Sequence, residues 1–417
     1  MSRYLRLAFL LFLIAGPTCR SEERALVDGP MLVRRVLTVL DARIALMPDV
    51  AAAKWVSGQP VGDPAREAAV IQAATDQAVA LGLSRDPVQT LIAGQIARAR
   101  AVQTAAMDRW GQDGSGPTSA PSLRDELRPR IDALSQELLT ALYLAAPYFA
   151  SLNVAALTAT LPDARWSTAD RQELEAALGA IRLDSPLSTE RIRHSHVLRI
   201  GLPADYAPFA WTQDGLLTGA DVELTAQLAH VLGLTPVYVR STWATLMSDL
   251  AADRFDIAAG GISITASRQA NALFTQPLVS GGKAAIGRCA DRGRLSTLEA
   301  IDRPDVRVIE NPGGTNEQFA RRHLPHSVLT VHADNLGVFQ ELVAGRADVM
   351  ITDDIEIARV THHEPRLCRL TEALYEPSEK AMLLPKNAEW RDAVTLALTP
   401  ILENGAYRKL LEAASDQ

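Results

Sequence analysis

The chain has 417 residues, 47% of them hydrophobic, and a formal charge of −7. Such a length suits two or three domains rather than one. Ordinary apolar content with no low-complexity tract excludes a disordered chain, and the acidic balance gives no electrostatic reason to expect nucleic acid. Basic residues are scattered singly, as expected where a few of them hold small anions.

Arg3 and Arg6 precede the apolar run Leu7–Ala15, which is far shorter than the roughly 20 residues that span a bilayer. A charged start followed by a short apolar core reads as a secretory signal over residues 1–20, and places the mature chain in the periplasm without a membrane span. A buried N-terminal helix is the alternative. Pro17-Thr18-Cys19 is a poor small-x-small cleavage site, and Cys19 lacks the usual lipoprotein context. With the signal removed, Cys289 and Cys368 are an even pair in an oxidising compartment, which favours a disulfide over two buried thiols.

From Leu26 to Ile181 the pattern is helical almost throughout, Ala- and Leu-rich, with apolar residues at three- and four-residue spacing. One long helix is predicted over Leu26 to Val56 with Pro48 as a tolerated kink, then helices at Asp63–Leu81 and Pro87–Trp110. Gly111–Pro121, GQDGSGPTSAP, is a flexible connector by composition. Beyond Asp184 the short apolar strands Val197–Leu202, Pro236–Arg240, Phe255–Ala259 and Val306–Ile309 alternate with helical stretches, the sign of an α/β domain with a largely parallel sheet. The expected organisation is multidomain, an all-α domain over 21–184 followed by an α/β domain over 185–417. No internal repeat of fixed period is evident.

In the helical part, Arg43 and Lys54 are eleven residues apart, about three turns at 3.6 residues per turn, so one helix face is expected to carry both. Asp63, Arg66 and Glu67 open the next helix, Gln103 lies on a third, and Arg128 begins the helix after the connector. Each alone is an ordinary surface charge. Together, RIALMPDVAAAKW, VGDPARE and GQIARARAVQ resemble the secreted, all-helical chorismate mutases over about residues 25–182. That resemblance implies an isomerase converting chorismate to prephenate in one step, without a covalent intermediate. It assigns Arg43, Arg66 and Arg128 to the substrate carboxylates, which guanidinium forks bind bidentately. Lys54 and Gln103 would donate to the ether oxygen as negative charge grows there, and Gln is a donor at every pH. Asp63 and Glu67 are expected at the helix start, where carboxylates favour the dipole and can reach substrate hydroxyls. Ala99 departs from the Ser or Thr usual in that family. An inactive helical bundle is the alternative, and the family also suggests dimers through this domain.

In the α/β part, Asp205-Tyr206-Ala207-Pro208-Phe209 follows the first strand, and Gly260-Gly261-Ile262-Ser263 precedes Arg268. Asn311-Pro312-Gly313-Gly314-Thr315-Asn316-Glu317 follows a later strand. These pieces resemble the two-lobed periplasmic binding proteins for amino acids over about residues 190–415. Arg268 would then clamp a ligand carboxylate, Gly313 and Gly314 would let the backbone approach an anion, and Thr315 with Gln318 fits a capping box at a helix start that offers free N–H groups. An ordinary turn is the alternative for the glycine pair.

WATLMSDLAADRFDIA, SGGK, NPGGTNEQFA and TDDIE are similar to periplasmic cyclohexadienyl dehydratase, which shares the binding-protein fold. The resemblance implies a carbon–oxygen lyase that takes prephenate to phenylpyruvate, or arogenate to phenylalanine, with loss of a ring hydroxyl and carbon dioxide. It places Glu356 at the acid position, where burial in an apolar closed cleft would keep the carboxyl protonated. Asp205, Trp243 and Lys283 match other cleft positions, and Asp353 falls where amino-acid receptors bind the ammonium group, which would accommodate arogenate. Gly260 replaces a serine expected in the dehydratases. Cys289 and Cys368 both match cysteines of the family.

The leading expectation is therefore a bifunctional enzyme of phenylalanine biosynthesis that acts on chorismate and then on prephenate or arogenate, with no metal or cofactor. His194, His196, His362 and His363 lack Asp, Glu or Cys partners at ligand spacing and read as surface residues. A solute receptor of a transporter carrying a mutase appendage is the alternative from another class. An active mutase joined to a decayed dehydratase is a third.

Overall fold

The computed structural model describes residues 24–417; the expected signal over residues 1–20 and Cys19 lie outside the described residues. The chain divides into two compact units. One is Asp28–Ser195, and the other is His196–Gln417 together with residues 24–27. The division lies after the helix Thr189–Ser195, eleven residues beyond the expected 184/185 boundary. Arg191 and Ile192 of that helix are buried within the helical unit, so the helix belongs with the residues before it.

The helical unit is built on α1 (Gly29–Ala45), α2 (Met47–Ser57), α3 (Pro64–Ala80), α4 (Arg85–Asp113) and α5 (Arg128–Ala145), with Thr168–Ala180 as α6. The expected single helix over Leu26–Val56 is two. Leu26–Val27 is a short strand, and the helix breaks at Leu46 because Pro48 sits in the first turn of α2, where its missing N–H removes no helical bond. Asp28 caps α1 by accepting from Met31 N at 2.9 Å, and Gly58 ends α2 in the left-handed region at φ 66. Leu32, Val36, Leu40 and the parallel row Val33, Leu37, Ile44 bury one face of α1, which packs along α5, while α3 packs along α4. The connector is shorter than expected, since α4 continues to Asp113 and stops at Gly114.

The α/β unit has two lobes. The first sheet runs β1 (Leu26–Val27), β6 (Thr235–Arg240), β2 (Val197–Leu202), β7 (Ile257–Ala258), β15 (Leu383–Leu384), β8 (Leu273–Phe274). The second runs β11 (Val328–Val331), β10 (Arg307–Glu310), β12 (Val349–Asp353), β9 (Val279–Arg288), β13 (Leu367–Arg369), with β14 (Tyr375–Lys380) also on β9. A small sheet, β3 (Asp205–Tyr206), β4 (Ala210–Gln213) and β5 (Leu216–Thr218), flanks the first lobe. The four expected strands correspond to β2, β6, β7 and β10, each shifted by no more than two residues at either end. The chain leaves the first sheet at β8 for β9 and returns from β14 to β15, so the antiparallel pair β9–β14 links the lobes. β1 pairs parallel with β6, Leu26 opposite Tyr238.

Arg199 on β2 is fully buried, with its guanidinium 2.7 Å from the carboxylates of Asp253 and Asp256, and this holds β2 against β7. In the second lobe Cys289 and Cys368 form a disulfide closing a sequence separation of 79 residues. Replacing both by Ser is expected to destabilise the α/β unit by about 2–5 kcal/mol. The urea midpoint should fall accordingly, and dithiothreitol should shift the wild type while leaving the double variant unchanged.

Candidate functional sites

In the helical unit three helices, α2, α3 and α5, bring charge to one place. Lys54 on α2 donates to the Val61 carbonyl at 2.6 Å. Burial lowers its ammonium pKa, Glu67 and Asp63 oppose that, and Arg66 and Arg128 add to it, so these five expected residues share one field. Asp63 caps α3 by accepting from Arg66 N at 3.1 Å, and Glu67 reaches back to Asp63 N at 3.3 Å. Gln103 on α4 is buried, with its amide nitrogen 3.2 Å from the Ala99 carbonyl and its Oε1 without a protein partner.

Arg43 and Lys54 stand on two helices rather than one. The Arg43 guanidinium reaches α5, donating to the Ile131 carbonyl at 3.4 Å and to the Ser135 hydroxyl. Burial pushes its pKa down against the pull of Asp132. Ala99 packs on the apolar cluster of Leu46, Met47, Val50, Ala53 and Leu127, so a methyl covers apolar surface where a hydroxyl was expected. A separate groove of about 580 Å³ between α4 and α6, lined by Leu91, Gln95, Arg98 and Trp166, contains none of the charged cluster.

In the α/β unit a small polar cavity of about 20 Å³ opens where the lobes meet. Tyr206, Trp243 and Arg268 line it from the first lobe, and Thr315, Asn316 and Asp353 from the second. Asp353 ends β12 opposite Lys283 of β9. Its Oδ1 is 3.0 Å from Lys283 Nζ, and its Oδ2 is 2.7 Å from Lys380 Nζ and also accepts from the Tyr206 hydroxyl. Burial alone would raise the Asp353 carboxyl, but Lys283 and Lys380 hold it well below the usual carboxylate range.

Glu356 lies one turn into the helix α7 (Asp354–His363) and is 1% exposed. It is not among the residues lining the cavity. A relay of hydrogen bonds reaches it: Lys283 donates to Asn316 Oδ1, Asn316 Nδ2 donates to Thr352 Oγ1 at 3.1 Å, and the Thr352 hydroxyl donates to Glu356 Oε2. Burial pushes the Glu356 carboxyl up to about 8. Asp353 and Asp205 add to the shift, while the Thr352 hydrogen bond and Lys283 oppose it. Asp205 accepts from Trp243 Nε1 at 2.8 Å and is raised by burial to about 6. Arg268 donates to the Ser263 carbonyl at 2.8 Å and is lowered by burial to about 10, against the charge of Asp353.

The glycine loop is built differently from the expected capping box. Gly314 is the N-cap of the helix starting at Thr315 and makes no side-chain cap bond. Glu317 instead accepts from Gly313 N at 2.6 Å. Thr315 itself lines the cavity. Gly313 has φ 78, and a Cβ there would come within 2.6 Å of Ala244 of the first lobe, so the glycine lets the lobes approach. Gly260 has φ 105, a conformation that a serine side chain rarely adopts. Its N–H and that of Gly261 both donate to Asp221 at 2.8 Å.

Lys380, Asn316, Tyr206, Ser263 and Glu310 are further residues of the network around Asp353 and Glu356. Asn316, Tyr206 and Ser263 lie inside quoted motifs, but Lys380 has no local signal, because its partners are 27 to 119 positions away. Glu310 is fully buried and accepts from Ile351 N at 2.8 Å. Burial raises its carboxyl well above the ordinary range, opposed by that bond and by Lys283, with Glu356 adding. Among the described residues no group of three or more His, Cys, Asp or Glu converges as a metal site, and no helix is long and apolar enough to cross a membrane.

Two lobes linked by β9 and β14 around a cation-rich cavity define a two-lobed ligand clamp. The chain belongs to the bacterial extracellular solute-binding proteins, family 3, whose family model matches residues 198–414, and the chorismate mutase type II model matches residues 34–104. Cyclohexadienyl dehydratase of Pseudomonas aeruginosa is 42% identical over 225 residues, 54% of this chain and 84% of the relative. The L-cystine-binding protein of Escherichia coli is 24% identical over 224 residues, 53% of this chain and 84% of the relative. An ancestral amino acid-binding protein, a precursor of cyclohexadienyl dehydratase, superposes with a TM-score of 0.50 at 29% identity over 54% of this chain and 97% of its own. A substrate-binding protein of an amino acid transporter from Streptococcus pneumoniae shares the fold at 22% identity, with a TM-score of 0.51 over 54% of this chain and 98% of its own.

The Glu356 carboxyl has a folded pKa of about 8 against an ordinary value of 4.5. Between those pH values the folded state holds a proton that the unfolded state has lost, so stability falls as pH rises, by up to about 1.4 kcal/mol per pH unit from this group. Glu356→Gln is expected to flatten the pH dependence of the urea midpoint between about pH 5 and 8 relative to wild type. An unchanged slope would show that the Glu356 carboxyl is ionised in the folded protein.

Proposed function

We propose that the chain catalyses two consecutive reactions, chorismate to prephenate in the helical unit (Asp28–Ser195) and prephenate to phenylpyruvate in the α/β unit (His196–Gln417 with residues 24–27). The charged cluster around Lys54 supports the first assignment. Arg43, Arg66 and Arg128 hold the two carboxylates and keep the substrate compact, with Asp63 and Glu67 at its hydroxyl. Lys54 and Gln103 donate to the ether oxygen, which gains charge as its bond breaks. No proton moves in this rearrangement, so hydrogen-bond donors suffice and no general acid is needed.

The second reaction needs a proton. Arg268, with the glycine loop and Thr315, holds a substrate carboxylate, while Trp243 and Asp205 pack and orient the ring. Glu356 gives its proton to the departing ring hydroxyl, which leaves as water. The electrons of the ring carbon–carboxylate bond enter the ring, carbon dioxide leaves, and the ring becomes aromatic. Solvent then reprotonates Glu356. A single observation carries this reading: Glu356 is buried beside the cation cluster with its carboxyl raised to about 8, a neutral acid at neutral pH, in a chain 42% identical to a cyclohexadienyl dehydratase. Periplasmic location, a removed signal over residues 1–20 and a homodimer through the helical unit complete the proposal.

Purified protein given prephenate should form phenylpyruvate. Tight phenylalanine binding without product would instead indicate a receptor. Glu356→Gln should lower prephenate turnover by about 10³-fold or more and leave chorismate consumption intact. The wild-type rate should fall as pH rises through about 8.

Arg66→Ala should lower kcat/KM for chorismate by about 10²-fold and leave prephenate turnover unchanged. Equal loss of both activities in either variant would argue against two separate sites.

A further inference from the structure

Arg359 follows Glu356 by three residues on α7, which places the two side chains on one face of the helix. Its guanidinium carbon lies 5.1 Å from the centroid of the Trp211 ring on β4. We infer that Arg359 is a positioning residue for the dehydration: it holds the helix that carries Glu356 against the first lobe through Trp211, and it meets the negative charge that Glu356 acquires when its proton leaves. The inference deepens the dehydratase assignment and rests on it.

Trp211 is 4% exposed and stands directly opposite Asp205 in the β3–β4 pair. This hairpin belongs to the first lobe, and three of its residues meet the second. Asn335 Nδ2 donates to the Asp205 carbonyl at 2.9 Å, the Tyr206 hydroxyl donates to Asp353, and Arg359 covers Trp211. Asn335 and Tyr206 line the cavity, whereas Arg359 and Trp211 do not. The third contact therefore joins the lobes outside the ligand site, and it joins the strand pair of Asp205 to the helix of Glu356.

Arg359 is also short of a counter-charge. Arg288, Arg307 and Arg346 of the same lobe each pair directly with a carboxylate. Among the described residues no carboxylate forms an ion pair with Arg359, and its buried Nε has no protein partner. A half-buried cation in that state is costly, and the indole face offsets only part of the cost. Burial lowers the Arg359 pKa, and Glu356 is the carboxyl that opposes this. Ionisation of Glu356 supplies the missing anion.

The groups facing Glu356 divide by what they do to that anion. Asp353, Asp205 and Glu310 disfavour it, while Lys283, Lys380 and the Thr352 hydroxyl favour it. The neutral Tyr206 hydroxyl faces it as well. Lys283 and Lys380 are both engaged by Asp353. Arg359 is engaged by no other carboxylate, so its charge answers to Glu356.

The test follows prephenate turnover against pH on the full chain. Arg359→Met keeps an unbranched side chain but removes the charge. It is expected to lower kcat by about 10-fold and to move the alkaline fall of the rate to higher pH, because loss of a cation raises a carboxyl pKa. Arg359→Lys should restore both. Trp211→Leu should raise KM for prephenate by about 3- to 10-fold and leave the position of the alkaline fall unchanged. An Arg359→Met profile that falls where wild type does, or a wild-type KM in Trp211→Leu, overturns the inference and leaves the dehydratase assignment standing. If wild type turns over no prephenate while chorismate is consumed, that assignment itself fails. The pH dependence of the urea midpoint then decides the coupling alone: Arg359→Met should extend the loss of stability to higher pH, and a curve parallel to wild type overturns it.

Discussion

The α/β unit is organised by one buried charge. Asp353 stands where β12 ends, opposite Lys283 on β9, against Lys380 at the end of β14 and beneath Tyr206 of the first lobe. An isolated carboxylate there would be costly to bury, and removal of water makes each compensating contact stronger. The compensation comes from both strands that link the lobes and from the first lobe itself. The same contacts that keep Asp353 ionised therefore join the two halves of the clamp around the cavity.

That charge also sets the state of its neighbours. Asp353 and Glu356 are three residues apart, yet burial acts on them with opposite results. Two lysines overcome burial at Asp353, whereas Glu356 meets a hydroxyl and the repulsion of Asp353 and Asp205. Carboxyls driven apart in this way take different chemical roles, one a fixed anion and the other a proton donor. Glu310 extends the pattern, since its carboxyl is raised by burial with Glu356 adding. The Lys283–Asn316–Thr352 relay fixes which Glu356 oxygen accepts. Oε2 accepts from the Thr352 hydroxyl, so in the neutral acid Oε1 is the oxygen that carries the proton.

Local patterning made the two-unit architecture and most of the motif residues legible, because periodicity and glycine loops are properties of neighbouring residues. The strands β2, β6, β7 and β10 are short apolar runs of this kind. What stayed illegible depends on distant partners. Leu26–Val27 reads as helix, yet it pairs with β6 more than 200 positions later, and tertiary pairing overrides a two-residue preference. Lys380 sits in YEPSEK without a motif and acquires meaning only from Asp353, Gly261 and Ser263. The capping box failed for a local reason. Gly314 rather than Thr315 is the N-cap, and Glu317, four residues beyond Gly313, supplies the acceptor.

The contrast between the two candidate sites follows from the proton. A rearrangement that transfers none needs no group that gives up a proton, and there Arg66 is exposed while Lys54 and Arg128 are half-buried. Water around such groups weakens each contact without changing what it is. A dehydration at neutral pH needs a carboxyl that still holds its proton, and an exposed glutamate does not. Only burial achieves that, and burial removes the solvent that would otherwise screen Asp353 and the lysines. Burial meets both needs at once: the loss of solvent that raises the Glu356 carboxyl also strengthens the Asp353–Lys283–Lys380 contacts.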